Sequence, residues 1–152
     1  MPLVAIVMGS KSDSEIMQPA AEILKGFGID SKTVVISAHR TPEKAREYAQ
    51  SAREQGIEVI IAAAGGSAHL PGVLASWTTL PVIGVPLATS ELKGVDALYS
   101  IVQMPGGIPV ACVSVGSWGV KNAAYLAAEI LGLKYNSIYH AIEKYRRDLA
   151  AE

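Results

Sequence analysis

Leu3-Val4-Ala5-Ile6-Val7-Met8-Gly9-Ser10-Lys11-Ser12-Asp13 is the stretch on which the fold turns. An unbroken apolar run without polar alternation is the pattern of a strand buried on both faces, and the glycine and hydroxyls after it read as a tight turn into a helix. The helix is predicted over 12–27. Ser12 and Glu15 have capping-box spacing, Ile16, Ala20, Ile23 and Phe27 form a stripe, and Gly28 suits the stop. The same alternation continues along the chain. Further strands are predicted over 33–37, 58–64, 81–85 and 109–113, all expected to be buried on both faces. Helices are predicted from Thr41-Pro42 to Gly56, over most of 92–104, from a Ser117 cap to Leu131, and from a Ser137 cap with Ile138, Ile142, Tyr145 and Leu149 on one face. Strand-helix alternation without a break in composition implies one parallel sheet with right-handed crossovers. The reading is a single α/β domain over 1–152: a three-layer, flavodoxin-like (Rossmann-like) parallel sheet covered by helices, with a C-terminal helix.

Composition narrows the function. The chain has 152 residues, is 50% hydrophobic and 18% charged, and carries 13 basic against 14 acidic side chains. A chain of this length buries roughly 68–70% of its unfolded surface, so its core needs no disulfide or structural metal. One cysteine cannot staple a secreted fold and points to a reducing cytoplasm. A net charge of -1 argues against nucleic acid as a partner. The apolar opening stretch from Met1 to Met8 lacks a basic leader and reads as a strand rather than a signal peptide. The other apolar runs fall short of the roughly 18 residues of a membrane span, so no membrane partner is expected.

In the flavodoxin-like strand order 2-1-3-4-5, the loops after the first and third strands flank the point where ligands bind. That directs attention to three loops, 9–13, 37–41 and 65–72. In the first, Ser10, Ser12 and Asp13 precede a helix whose free amides attract anions; an ordinary turn with a cap is the plainer alternative. Neither a Walker motif nor G-x-G-x-x-G is present. The second loop, Ser37-Ala38-His39-Arg40-Thr41-Pro42, offers a guanidinium that can clamp a phosphate and an imidazole, a group suited to proton exchange near neutrality. In the third, Ala63-Ala64-Gly65-Gly66-Ser67-Ala68-His69-Leu70-Pro71-Gly72, paired glycines let a flat ring approach the backbone, and His69 is open between a structural and a catalytic role. His140 reads as a surface residue. Cys112, within an apolar strand, reads as a small buried side chain. The histidines and cysteine have no metal-site spacing, so no metal is expected. Segment 100–107 is open between a pocket wall, a subunit contact and simple core. A flavin-binding module is the competing reading, weakened by one Phe and two Trp in the whole chain.

Four ordered blocks, 8–13, 37–42, 65–72 and 94–105, resemble the 5-(carboxyamino)imidazole ribonucleotide mutases of de novo purine biosynthesis, and the resemblance covers nearly the whole chain. A second branch of that family, which carboxylates aminoimidazole ribonucleotide directly, typically carries Lys after the His and lacks the third block. Arg40 and the intact third block place this chain on the mutase side. The resemblance implies that Ser10, Asp13, Ser37 and Arg40 bind the ribonucleotide, that Gly65, Gly66, Ser67, His69 and Leu70 line the base and carboxylate, and that His39 shuttles the proton. It further implies an isomerase without cofactor, a cytoplasmic setting and a homo-octamer. Two departures stand out. Trp118 lies where the family is usually Gly-x-Ala-Gly, and Trp77 where smaller residues are common, so a changed assembly is expected if Trp118 meets a neighbouring subunit.

Overall fold

The computed structural model describes residues 3–152; Met1 and Pro2, which begin the apolar opening stretch, lie outside the described residues. Five strands, β1 (Leu3–Met8), β2 (Asp30–Val35), β3 (Ile57–Gly65), β4 (Val82–Leu87) and β5 (Ala111–Cys112), form one sheet in the order β2-β1-β3-β4-β5. All four pairings are parallel. The alternation implied one parallel sheet, and the order is the flavodoxin-like one on which the choice of loops rests. Six helices complete it: α1 (Ser14–Gly26), α2 (Pro42–Ser51), α3 (Leu70–Trp77), α4 (Val95–Val102), α5 (Ser117–Gly132) and α6 (Asn136–Ala150).

The two faces of the sheet carry separate cores. Val4, Ile6 and Met8 of β1, with Val59 and Ile61 of β3, pack under Met17, Ala20 and Leu24 of α1 and the alanine-rich face of α5, with Ile138 of α6 at the margin. Ala5, Val7, Ile60 and Ala62 point the other way, onto Ala45 and Ala49 of α2, Leu70 and Leu74 of α3, and Ala97 and Ile101 of α4. Adjacent residues of one strand thus serve opposite layers, which is why β1, β3 and β4 read as continuous apolar runs.

Several local expectations shift. β2 runs over Asp30–Val35 rather than 33–37 and is largely exposed, because it is the sheet edge and its polar residues face solvent. β5 is a two-residue strand, not 109–113, although Val113 N still donates to the Gly84 carbonyl at 3.0 Å. The inward face of α1 is Met17, Ala20 and Leu24; Ile16 is 40% exposed, so the expected stripe is rotated. Gly28 ends the α1 corner with φ +74 as anticipated. The Ser12–Glu15 box does not form: Ser10 caps a single 3-10 turn, Lys11–Asp13, by accepting from Ser12 N. Neither Ser117 nor Ser137 is a cap, since Gly116 and Tyr135 hold those positions. α2 ends at Ser51, short of Gly56, and α4 spans less than 92–104. Most consequential is α3, a helix inside what read as a loop and its continuation. Pro71 occupies its first turn, where a missing N–H is harmless.

At the amino end of β3, Glu58 clasps the α5–α6 corner. Its carboxylate accepts from Lys134 Nζ at 2.8 Å and from Tyr135 Oη at 2.6 Å. Desolvation pushes the Glu58 pKa up, but these two hydrogen bonds and the Lys134 charge outweigh it and hold the group below its ordinary value. A lowered carboxylate pKa adds stability above the unfolded-state value and loses it as pH falls through the folded-state one. Glu58→Gln is therefore expected to lower Tm at pH 7, with the difference from wild type closing as pH falls below the usual glutamate range. Thermal melts across pH check this; a constant gap would show that Glu58 acts through shape alone.

Candidate active site

At the carboxyl end of the sheet a cavity of about 450 Å³ opens where the strand order reverses. The loop after β1 supplies Gly9, Ser10, Ser12 and Asp13, the loop after β2 supplies His39 and Arg40, and the loop after β3 supplies Gly65, Ser67, His69 and Leu70. Eight of the residues expected to bind or react, Ser10, Asp13, His39, Arg40, Gly65, Ser67, His69 and Leu70, are thereby brought to one site. Ser37 and Gly66 do not line it. They shape it instead: Ser37 Oγ accepts from Arg40 N at 3.1 Å, while Gly66, at φ +60, turns the chain between Gly65 and Ser67. The Ser37 turn is closed twice more, since both Thr41 N and Thr41 Oγ1 donate to the Ser37 carbonyl at 2.9 Å. Arg40 is thus presented by a rigid loop rather than a floppy one.

The central contact joins two loops. His39 Nε2 lies 2.6 Å from His69 Nδ1, with the rings nearly perpendicular at 84°. One nitrogen donates and the other accepts, so a single hydrogen sits between them. His69 is held at this spot by the backbone just before α3, where Ala68 N donates to the Gly65 carbonyl at 3.1 Å and Ala68 takes φ +21. A non-glycine residue at positive φ stores strain of roughly 1–3 kcal/mol, the kind found where a loop is shaped for a ligand.

Asp13 is the one buried charged residue among those described, 6% exposed at the end of the 3-10 turn. Burial raises its pKa, and a backbone hydrogen bond from Ser10 offsets part of the rise. A carboxylate left this short of partners on a cavity wall is ready to accept from ligand hydroxyls. Outside the cavity, His140 is exposed on α6, as expected. Cys112 is half-buried, with a thiol pKa pushed up by desolvation, so it is a poor nucleophile. Met104 packs near Gly72 of α3, and no residue of segment 100–107 lines this cavity. Trp118 is 77% exposed, and Trp77 lies under the Arg46 guanidinium at 5.7 Å. Among the described residues no cluster of His, Cys, Asp or Glu could hold a metal ion, and no helix is long and apolar enough to cross a membrane.

Fold and site together define a flavodoxin-like α/β protein with a cavity at the strand-order reversal, beside a histidine pair. The AIR carboxylase family matches residues 3–152. A protein of Thermotoga maritima named N5-carboxyaminoimidazole ribonucleotide mutase is 57% identical over 152 residues, spanning 100% of this chain and 88% of that protein. One of the same name from Aquifex aeolicus is 63% identical over 134 residues, 88% of this chain and 79% of that protein. The crystal structure of Treponema denticola PurE superposes with a TM-score of 0.90 at 33% identity, covering 99% of this chain and 93% of that one. The chain belongs to the AIR carboxylase family, and it is a mutase, hence an isomerase.

The raised pKa of Asp13 yields a stability test. Its charged form is penalised in the folded state, so wild type carries a deficit above the folded-state pKa that disappears as pH falls below the unfolded-state value. Asp13→Asn is expected to melt higher than wild type at pH 7, with the advantage shrinking toward pH 4, while ligand affinity drops. An Asp13→Asn protein less stable than wild type at neutral pH would mean that the carboxylate has a structural partner.

Proposed function

We propose that the chain interconverts 5-carboxyamino-1-(5-phosphoribosyl)imidazole and 5-amino-1-(5-phosphoribosyl)imidazole-4-carboxylate in de novo purine (IMP) biosynthesis, acting as a single domain. The observation that carries this reading is the His39–His69 contact at 2.6 Å in the cavity that also holds Arg40 and Asp13. Arg40, fixed by Ser37, clamps the 5′-phosphate with help from Ser10 at the first helix entrance. Asp13 accepts from the ribose hydroxyls. Gly65 and Gly66 let the imidazole approach the backbone, and Ser67, His69 and Leu70 complete the pocket around base and carboxylate.

The reaction moves a carboxylate from the exocyclic nitrogen to ring carbon 4. His39 gives a proton to that nitrogen as the N–C bond breaks, and the bond's electron pair remains on nitrogen, releasing carbon dioxide. Carbon 4 of the electron-rich aminoimidazole attacks the trapped carbon dioxide. The proton left on carbon 4 then returns to the histidine pair and aromaticity is restored. One proton is lent and one recovered, so a pair sharing a hydrogen is a sufficient store, and these steps are assigned to side chains without a cofactor. Acid-base transfer of this kind contributes about 10²–10⁴-fold, and holding carbon dioxide beside the carbon adds a proximity gain.

The remaining assignments rest on the resemblance: a cytoplasmic setting and a homo-octamer. Leu92, Val95, Tyr99 and Val102, around α4, are between 49% and 67% exposed on this chain and would be covered in such an assembly. A light-scattering mass is expected at the octamer value; a monomer would remove that assignment.

The deciding experiment is an ultraviolet assay of interconversion with wild type and His39→Asn. Turnover is expected to fall by about 10²–10⁴-fold in the variant while nucleotide affinity stays within a few-fold. A near-normal rate in His39→Asn would take His39 out of the chemistry. His69→Asn is expected to slow turnover as well, by a smaller factor; a wild-type rate there would leave His39 working alone.

A further inference from the structure

Thr89 stands just past the carboxyl end of β4, in a fourth loop that no motif marks, and it lines the same cavity as His39 and Arg40. Its hydroxyl is seated on Gly65. A Cβ added at Gly65 would overlap Thr89 Oγ1 and would lie 3.2 Å from Thr89 Cβ and 3.3 Å from the Leu87 carbonyl. The absence of a side chain at Gly65 is thus what admits the Thr89 hydroxyl to the wall of the site.

The loop behind Thr89 is anchored. Ser90 Oγ donates to Asp96 Oδ2 at 2.6 Å and accepts from Leu92 N at 3.2 Å. Asp96 is itself fixed, because its Oδ1 accepts from Ala97 N at 2.9 Å. A hydroxyl carried next to such a clasp is pre-positioned, so little side-chain freedom is lost when it meets a ligand.

Placement along the sheet edge says what it meets. Arg40 follows β2 and Thr89 follows β4, with β1 and β3 between them. Three inter-strand steps of about 4.8 Å separate the two by roughly 14 Å, comparable to a nucleoside monophosphate laid along the edge. The carboxylated nucleotide is anionic at both ends. Among the described residues lining the cavity, Arg40 is the permanently charged cation, so with the phosphate at Arg40 the second anion falls to the histidine pair and to neutral donors at the β3–β4 end. Thr89 supplies one.

We propose that Thr89 is a specificity residue whose hydroxyl, seated on Gly65 and held by the Ser90–Asp96 anchor, donates a hydrogen bond to the carboxylate on the imidazole ring. This rests on the mutase reading above. It distinguishes the carboxylated nucleotide from the bare aminoimidazole ribonucleotide, which presents no acceptor there. Removing a hydrogen bond to a charged group weakens binding by roughly tenfold or more.

The test is calorimetric titration of wild type, Thr89→Val and Thr89→Ser with both the 4-carboxylated nucleotide and aminoimidazole ribonucleotide. Thr89→Val, nearly isosteric, is expected to bind the carboxylated ligand roughly tenfold more weakly and the uncarboxylated one within about twofold of wild type, and Thr89→Ser to recover most of the loss. Equal losses on both ligands, or none on either, would overturn the assignment. Should Thr89→Val fail to fold, Thr89→Ala carries the same comparison. A folded wild-type protein that binds neither nucleotide would remove the mutase reading itself, whereas wild-type turnover with both affinities indifferent to Thr89→Val would remove the role of Thr89 alone.

Discussion

β1 hydrogen-bonds in parallel to β2 on one side and to β3 on the other, and everything distinctive about this molecule depends on that arrangement. The crossover from β1 to β2 passes through α1 on one face, while the connections from β2 onward pass through α2, α3 and α4 on the opposite face. A single hand of crossover demands this split once the chain reverses direction across the sheet. The loops leaving β1 and β3 therefore diverge, and no helix can fill the gap between them. The cavity is a consequence of strand order, and the loops need only furnish its chemistry.

The two carboxylates at opposite ends of the sheet, Glu58 on β3 and Asp13 after β1, show how differently one sheet treats its two ends. Glu58, at the amino end, is neutralised by Lys134 and Tyr135, and its depressed pKa marks a charge that helps the fold. Asp13, at the carboxyl end, is more buried yet less well satisfied, and its pKa moves the other way. A fold under no demand to bind anything would gain by replacing Asp13 with a neutral residue. Its presence is intelligible as a group whose partners arrive with the ligand, so stability is lost where function is placed.

Legibility from sequence followed burial. β1, β3 and β4, sandwiched between two cores, announced themselves as apolar runs. β2 did not, since an edge strand carrying Asp30, Ser31, Lys32 and Thr33 has no such signature, and its placement slipped by up to three positions. α3 was hidden because Leu70-Pro71-Gly72 combines residues of turn chemistry, whereas in the fold Pro71 merely opens a helix. The site residues on the first three loops were legible because hydroxyls, Arg and His at strand ends carry chemical meaning. Thr89 was not: a lone threonine has no motif, and only the empty space above Gly65 reveals why it stands there. Segment 100–107, open in the sequence, stands away from the cavity, with Met104 packed near Gly72.

The His39–His69 contact is the feature that sequence could least disclose, for it spans thirty positions and depends on a backbone turn at Ala68 that local propensity opposes. That turn places the ring of His69 at the first residue boundary of α3, while the Ser37–Thr41 hydrogen bonds fix the loop bearing His39. Two independently rigid loops thus meet through one shared hydrogen. For the proposed rearrangement, which lends a proton and takes one back, such a pair gives the proton a second ring nitrogen to share, although both imidazoles are exposed where they line the cavity. Rigidity serves the same end in the proposed mechanism, because carbon dioxide released beside carbon 4 must find the nucleophile before it diffuses away.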